Sequence, residues 1–167
     1  MSVRLATPDD AAAIAAMLAL LAAETGDGDR FASTPETIRV HGFGPGALFE
    51  TFVAEHAGAP AGVAVFVRHF STTRGQPGVY VQDLWTSPAA RGQGLGAALL
   101  AAVADHAGCS WGARYLALTT HGHNDAARAF YHRFGFVAHP DDVPMTLDGA
   151  AFDALGARAA AGTGAAA

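Results

Sequence analysis

The chain has 167 residues, the size of one domain, long enough to bury roughly 70% of its unfolded surface. Apolar residues make up 51% and charged residues 15%, which fits a folded globular domain and excludes global disorder. The net charge of -5 gives no electrostatic reason to expect a nucleic acid or an anionic membrane, and no apolar run reaches the ~18 residues that a membrane span needs.

Val3-Arg4-Leu5-Ala6 alternates as a short strand, and Thr7 then caps a helix that begins at Pro8. Asp9 and Asp10 complement the positive end of that helix dipole. This is a helix start rather than the basic region of a signal peptide, and the cytoplasm is the expected compartment. Ile14, Met17, Leu18 and Leu21 fall at helical spacing, and Gly26-Asp27-Gly28 ends the stripe. Thr34-Pro35-Glu36 opens a second short helix, closed by Gly42, Gly44 and Gly46.

Phe49 to Glu55 and Gly62 to Phe70 read as two strands with a turn at Gly58-Ala59-Pro60. Ser71 to Gly78 is a polar loop, and Val79 to Thr86 a strand stopped by Ser87-Pro88. A helix running to about His106 follows, with Leu95, Leu99, Leu100 and Val103 on one side. Tyr115 to Thr119 is a strand and Asn124 to Phe134 a helix. Val137 and Val143 to Leu147 supply final strand material, and Asp148 caps a last short helix. The end, Gly162-Thr163-Gly164 and alanines, has nothing to bury and is expected to be a disordered tail. The organisation is one mixed α/β domain over 1–150, with a short Ala-rich helix or tail over 151–167.

Arg91-Gly92-Gln93-Gly94-Leu95-Gly96 carries the chemistry. Glycines at alternate positions let successive N–H groups converge on an anion, and the helix that begins there adds its positive dipole end. Arg91 supplies a full charge at the rim. A Walker loop is excluded, since no Gly-Lys-Ser/Thr follows. Gly92-x-Gly94-x-x-Ala97 satisfies the loose dinucleotide fingerprint, but that motif belongs directly after the first strand of a parallel sheet. A plain helix-capping turn is the bland alternative.

The segment from Val79 through Gln82-Asp83-Leu84-Trp85-Thr86 to Gly96 closely resembles the core motif of the GCN5-related N-acetyltransferase (GNAT) superfamily. Asn124, Ala127, Phe130, Tyr131, Gly135 and Phe136 stand at the spacing of a second motif of that family, and residues 3–10 match its usual opening. Gly42-Phe43-Gly44, Phe70-Ser71-Thr72 and Gly75 look like the diamine (spermidine/spermine-type) branch. The resemblance implies a single GNAT fold, with a splayed, mixed, mostly antiparallel sheet flanked by helices. It also implies acetyl-CoA as cosubstrate, a small-molecule primary amine as acceptor, and a homodimer.

By the same resemblance, the amides of Gly92, Gln93, Gly94, Leu95, Gly96 and Ala97 would hold the pyrophosphate. The edge of Leu84, Trp85 and Thr86 would pair with the pantetheine arm, and Asn124 belongs with the cofactor site. Tyr131 is the implied general acid; its bland alternative is an aromatic packed beside Phe130 and Phe134. The diamine branch commonly carries Glu where this chain has Gln82. An amide cannot take a proton, so Asp83, Glu24 or a water chain is left as the relay.

Glu24, Asp27 and Asp29 form an acidic cluster able to receive a cationic amine, or simply a solvated loop. Trp85 either flanks the acceptor or packs in the sheet. His121-x-His123 is the densest histidine pair but lacks a ligand set, and no metal is expected. The single Cys109 excludes an internal disulfide and reads as a small, partly buried residue. Two other functions stay open: a CoA-binding module with weak catalysis, consistent with Gln82, and a peptide or protein N-acetyltransferase.

Overall fold

A computed structural model describes the backbone of residues 1–163 and the side chains through 157. The described residues form two compact units, Met1–Asn124 and a smaller one that begins at Asp125. The first holds β1 (Ser2–Leu5), α1 (Ala11–Thr25), α2 (Pro35–Gly42), β2 (Glu50–His56), β3 (Ala59–Ser71), β4 (Gln76–Thr86), α3 (Leu95–Trp111) and β5 (Leu116–Leu118). The second holds α4 (Asp125–His132) and α5 (Gly149–Thr163).

The sheet runs in the order β1-β2-β3-β4-β5. Its first three pairings are antiparallel, and only β4 with β5 is parallel. This is the mixed, mostly antiparallel sheet that the motifs imply. Val53, Val63, Val65 and Trp85 meet Ile14, Met17 and Leu18 of α1 and Ile38 of α2 in one buried cluster. The other helix, α3, buries Leu95, Leu99, Leu100 and Val103, each worth about 1.5–3 kcal/mol out of water. It lies so close to β3 that a Cβ on Gly62 would stand 3.1 Å from Leu99 Cδ1 and 3.2 Å from Leu95 Cδ2.

The opening turn is built differently from a simple threonine cap. Pro8–Asp10 is a 3-10 turn leading into α1. The Asp10 carboxylate accepts from the Thr7 N–H at 2.7 Å and from both terminal nitrogens of Arg4 at 2.8 Å. Arg4 also reaches Glu55 at 3.1 Å, so one guanidinium ties β1 to β2 and to the start of α1. That pairing holds the Asp10 carboxyl well below the ordinary carboxylate range, chiefly through Arg4, with the Thr7 donors adding to it.

Several expected boundaries move. The β2–β3 turn is Ala57-Gly58, both with left-handed backbone, and Ala59 and Pro60 already lie in β3. The expected loop 71–78 shrinks to residues 72–75, because Gln76, Pro77 and Gly78 pair with Ser71, Phe70 and His69. Helix α3 runs on to Trp111, whose indole N–H donates to Gly78 O at 3.0 Å. Cys109 on that helix is exposed rather than partly buried.

Residues 137 and 143–147 form no strand. Pro140 and Pro144 remove donors from the ladder that such a strand would need, and Val137 and Val143 are 76% and 78% exposed. The last helix, α5, is fifteen residues rather than short. The rest of the expected disordered tail, 164–167, lies outside the described residues.

Candidate active site

Strand β4 is longer than the partner on its outer side. Only Val79, Tyr80 and Val81 pair with β5, at Leu116, Ala117 and Leu118. From Gln82 to Thr86 the strand is held by β3 alone. Among the described residues no strand lies along its other edge, where an extended ligand could pair, although Thr86 O already accepts from Arg91 Nε.

Gln82 marks the point where the strand splays. Phe66 pairs with Val81 and Val65 with Asp83, which leaves Gln82 as the extra residue of a bulge. Its side chain is exposed. Asp83 is half-buried and, among the described residues, has no hydrogen-bond or ion-pair partner. Burial alone pushes its carboxyl above the ordinary aspartate range. Leu84 and Thr86 are half-buried, whereas Trp85 is only 5% exposed and belongs to the α1 core. The ring of Trp85 therefore packs in the sheet; its indole N–H emerges to donate to Glu24 Oε1 at 3.1 Å.

The strand ends at a 3-10 turn, Pro88–Ala90, and the glycine loop follows. Gly92 and Gly94 take left-handed backbone, φ +77° and +83°, which side chains with a Cβ resist. No atom lies within 4 Å of where a Cβ would stand on either, so conformation and not crowding demands glycine. Gln93 Nε2 donates to Ala89 O at 2.9 Å and fixes the loop to the turn before it.

The first helical bond of α3 is Ala98 N–H to Gly94 O. Among the described residues the N–H groups of Gly92, Gln93, Gly94, Leu95, Gly96 and Ala97 have no acceptor. Six consecutive donors at the positive end of a helix suit an anion.

Arg91 stands at the rim as expected, but with partners of its own. Its Nε donates to Thr86 O at 3.1 Å, and its Nη2 donates to Glu24 Oε2 at 2.5 Å. Glu24, expected as an amine receptor, is thus shared by Arg91 and Trp85. Asp27 pairs with Arg30, and His121 Nε2 lies 3.5 Å from its other oxygen. The Arg30 contact, with His121 in support, lowers the Asp27 carboxyl. His121 stands 5.3 Å from His123, ring to ring. Neither the bulge nor the Glu24–Arg91 pair was legible in the sequence, since the pair's partners lie 67 residues apart and no local pattern marks them.

Asn124 closes the first unit, where its N–H donates to His121 O at 2.9 Å. Tyr131 belongs to the second unit. There Gly135 turns left-handed, φ +86°, and Phe136 N–H returns to Tyr131 O at 3.3 Å. The two rings meet at 5.5 Å, and Phe130 packs on Tyr131 at 5.2 Å and on Phe134 at 5.1 Å. The Gly135-Phe136 pair of the second motif thus closes α4 around Tyr131. Burial raises the Tyr131 phenol above its ordinary value; like any tyrosine it is protonated at neutral pH.

The model of the acetyltransferase (GNAT) family matches residues 16–136. The thialysine N-epsilon-acetyltransferase of Bos taurus is 31% identical over 93 residues, 49% of this chain and 54% of that protein. The chain spans about half the length of the curated relatives it matches. An integron cassette protein from the mobile metagenome of V. cholerae has a similar structure, with a TM-score of 0.75, 19% identity, and coverage of 93% of this chain and 96% of that one. An aminoglycoside acetyltransferase from an uncultured soil sample follows at 0.71, with 17% identity and coverage of 88% and 98%. These two likenesses carry the fold alone. No helix among the described residues is long and apolar enough to cross a membrane.

Proposed function

The chain belongs to the GNAT acetyltransferase family, and from that premise we propose that it moves an acetyl group from acetyl-CoA to a primary amine of a small molecule. The observation that carries this reading is the run of six unpartnered N–H groups from Gly92 to Ala97 beside the open edge of β4. The run suits a pyrophosphate, and the edge suits an amide-bearing arm that pairs like an added strand. No metal has a part in the scheme.

Transfer is direct: the amine nitrogen forms a bond to the thioester carbon and the carbon–sulfur bond breaks. A backbone N–H on the β4 edge faces the carbonyl oxygen as it gains negative charge. Juxtaposition of the two reactants supplies much of the rate. The amine proton leaves toward Asp83, whose raised carboxyl supports this role, directly or through a water held by Gln82. Tyr131 hands its phenolic proton to the departing thiolate. The family motif around Tyr131 supports that last assignment.

The curated relatives are thialysine N-epsilon-acetyltransferases, which supports a small amine as acceptor; the diamine branch is the finer form of the same reading. The molecule acts in the cytoplasm as a homodimer.

Thiol release from acetyl-CoA, measured across polyamines, aminoglycosides, amino acids and peptides, tests the reading. Release with small amines is expected. Release with peptides alone would favour a protein acetyltransferase, and binding without release would favour a CoA-binding module. A companion variant, Gln82→Glu, should raise the rate at neutral pH if the bulge position has lost a base; an unchanged rate points to Asp83.

A further inference from the structure

Glu24 sits in the last turn of α1, where the helix dipole presents its negative end. A carboxylate there is disfavoured unless a cation answers it; of the neighbouring aspartates Asp27 is already answered by Arg30, and Asp29 adds to the negative charge. Arg91 is that cation, and Trp85 supplies a further donor to the other oxygen. Arg91 also stands directly before the six free donors of the glycine loop.

A phosphate bound by those donors competes for the same guanidinium, and it carries more charge than one carboxylate. To reach the loop Arg91 gives up its Glu24 bond and, because the planar guanidinium turns as one piece, its Nε bond to Thr86 O as well. The pair is open to water, with side chains 47% and 40% exposed, so parting it costs little.

We propose that Glu24 is a shared carboxylate, masked by Arg91 until acetyl-CoA draws that arginine away, and then the anchor for a positive charge on the acceptor. The reacting amine must be neutral to attack, so the charge at Glu24 belongs to a second group on the acceptor. Acetyl-CoA therefore prepares the acceptor site, and acceptor affinity depends on cofactor. Thermodynamic reciprocity requires the acceptor to tighten cofactor binding by the same factor. The inference rests on the acetyl-CoA reading above but makes a claim of its own, that two sites compete for one arginine.

Calorimetric titration of the full chain with CoA, which cannot turn over, tests it, with 1,5-diaminopentane and n-pentylamine as acceptor probes. In the wild type the diamine should bind the CoA complex about two- to five-fold more tightly than the free protein, the worth of the one exposed ion pair that both ligands displace, and the monoamine should show no such gain. Glu24→Gln should bind CoA about two- to five-fold more tightly, the scale of an exposed ion pair, and should lose the diamine gain. Arg91→Gln should do the reverse, weakening CoA and letting the diamine bind the free protein.

A Glu24→Gln protein with unchanged or weaker CoA binding would overturn the proposal, since Arg91 would then serve both partners at once. Equal diamine binding with and without CoA, or none to the CoA complex, would overturn it too. Failure of the wild type to bind CoA at all would instead remove the acetyltransferase reading.

Discussion

The two ends of β4 use one strand for opposite purposes. At the hairpin end the strand is paired on both sides, and side chains lock it. The Tyr115 ring lies flat over Gly78, Trp111 bonds Gly78 O, the Arg68 guanidinium covers Trp111 at 5.0 Å, and Tyr115 OH meets His69 Nδ1 at 2.5 Å. At the loop end the strand is paired on one side, bulged at Gln82, and followed by backbone donors without acceptors. Satisfied groups give stability and unsatisfied ones give affinity. A variant at one end should therefore move melting temperature, and a variant at the other should move binding or turnover.

The largest effects belong to the chemistry. Tyr131→Phe should lower turnover about 10²-fold with an unchanged melting temperature, the usual weight of a general acid; near-normal steady-state rates would remove the role. Next comes Gly94→Ala, which forces a Cβ onto left-handed backbone beside the donors. Acetyl-CoA affinity should fall roughly ten- to thirty-fold by calorimetry, with about 1 kcal/mol lost in stability.

Gly78→Ala makes the contrasting case. A Cβ there would stand 2.3 Å from the Tyr115 ring, so about 1–3 kcal/mol of stability should go. Affinity for acetyl-CoA should stay as it is. A loss of affinity as large as that of Gly94→Ala would erase the division between the ends.

The two aspartates sharpen the comparison by pH. Asp10 is paired with Arg4 and its carboxyl is lowered. Its contribution is complete above the unfolded value of about 4 and is lost as pH falls toward the native value. Asp10→Asn should cost about 1–2 kcal/mol at neutral pH and flatten the acid limb of a stability profile.

Asp83 is unpaired and its carboxyl is raised, so its charged form opposes folding at neutral pH and protonation relieves it. Asp83→Asn should raise the melting temperature slightly, by about 1–3 °C, while turnover falls. A lower melting temperature would mean that Asp83 has a structural partner after all.

The parts legible in the sequence are those set by local chemistry. Thr34-Pro35 opens α2 as expected, with Thr34 Oγ1 accepting from Thr37 N–H at 3.1 Å. The alternating glycines place the loop, and the motif around Tyr131 places the turn that closes α4. What escaped depends on partners distant in the chain. Pro77 and Gly78 look like loop residues, yet Gly78 is the one residue that fits beneath Tyr115. Val143 to Leu147 has strand composition but finds no ladder in the described residues. At the site, the loop could be read, while the capture of Arg91 by Glu24 could not.

The central claim is that backbone donors of the glycine loop and the open edge of β4 hold acetyl-CoA. Amide hydrogen exchange resolved by residue, with and without CoA, tests it most directly. Protection concentrated at Gly92 to Ala97 and at Leu84 and Thr86, whose backbone groups face away from β3, is the result expected. Saturating CoA that leaves those amides exchanging as in the free protein would contradict it.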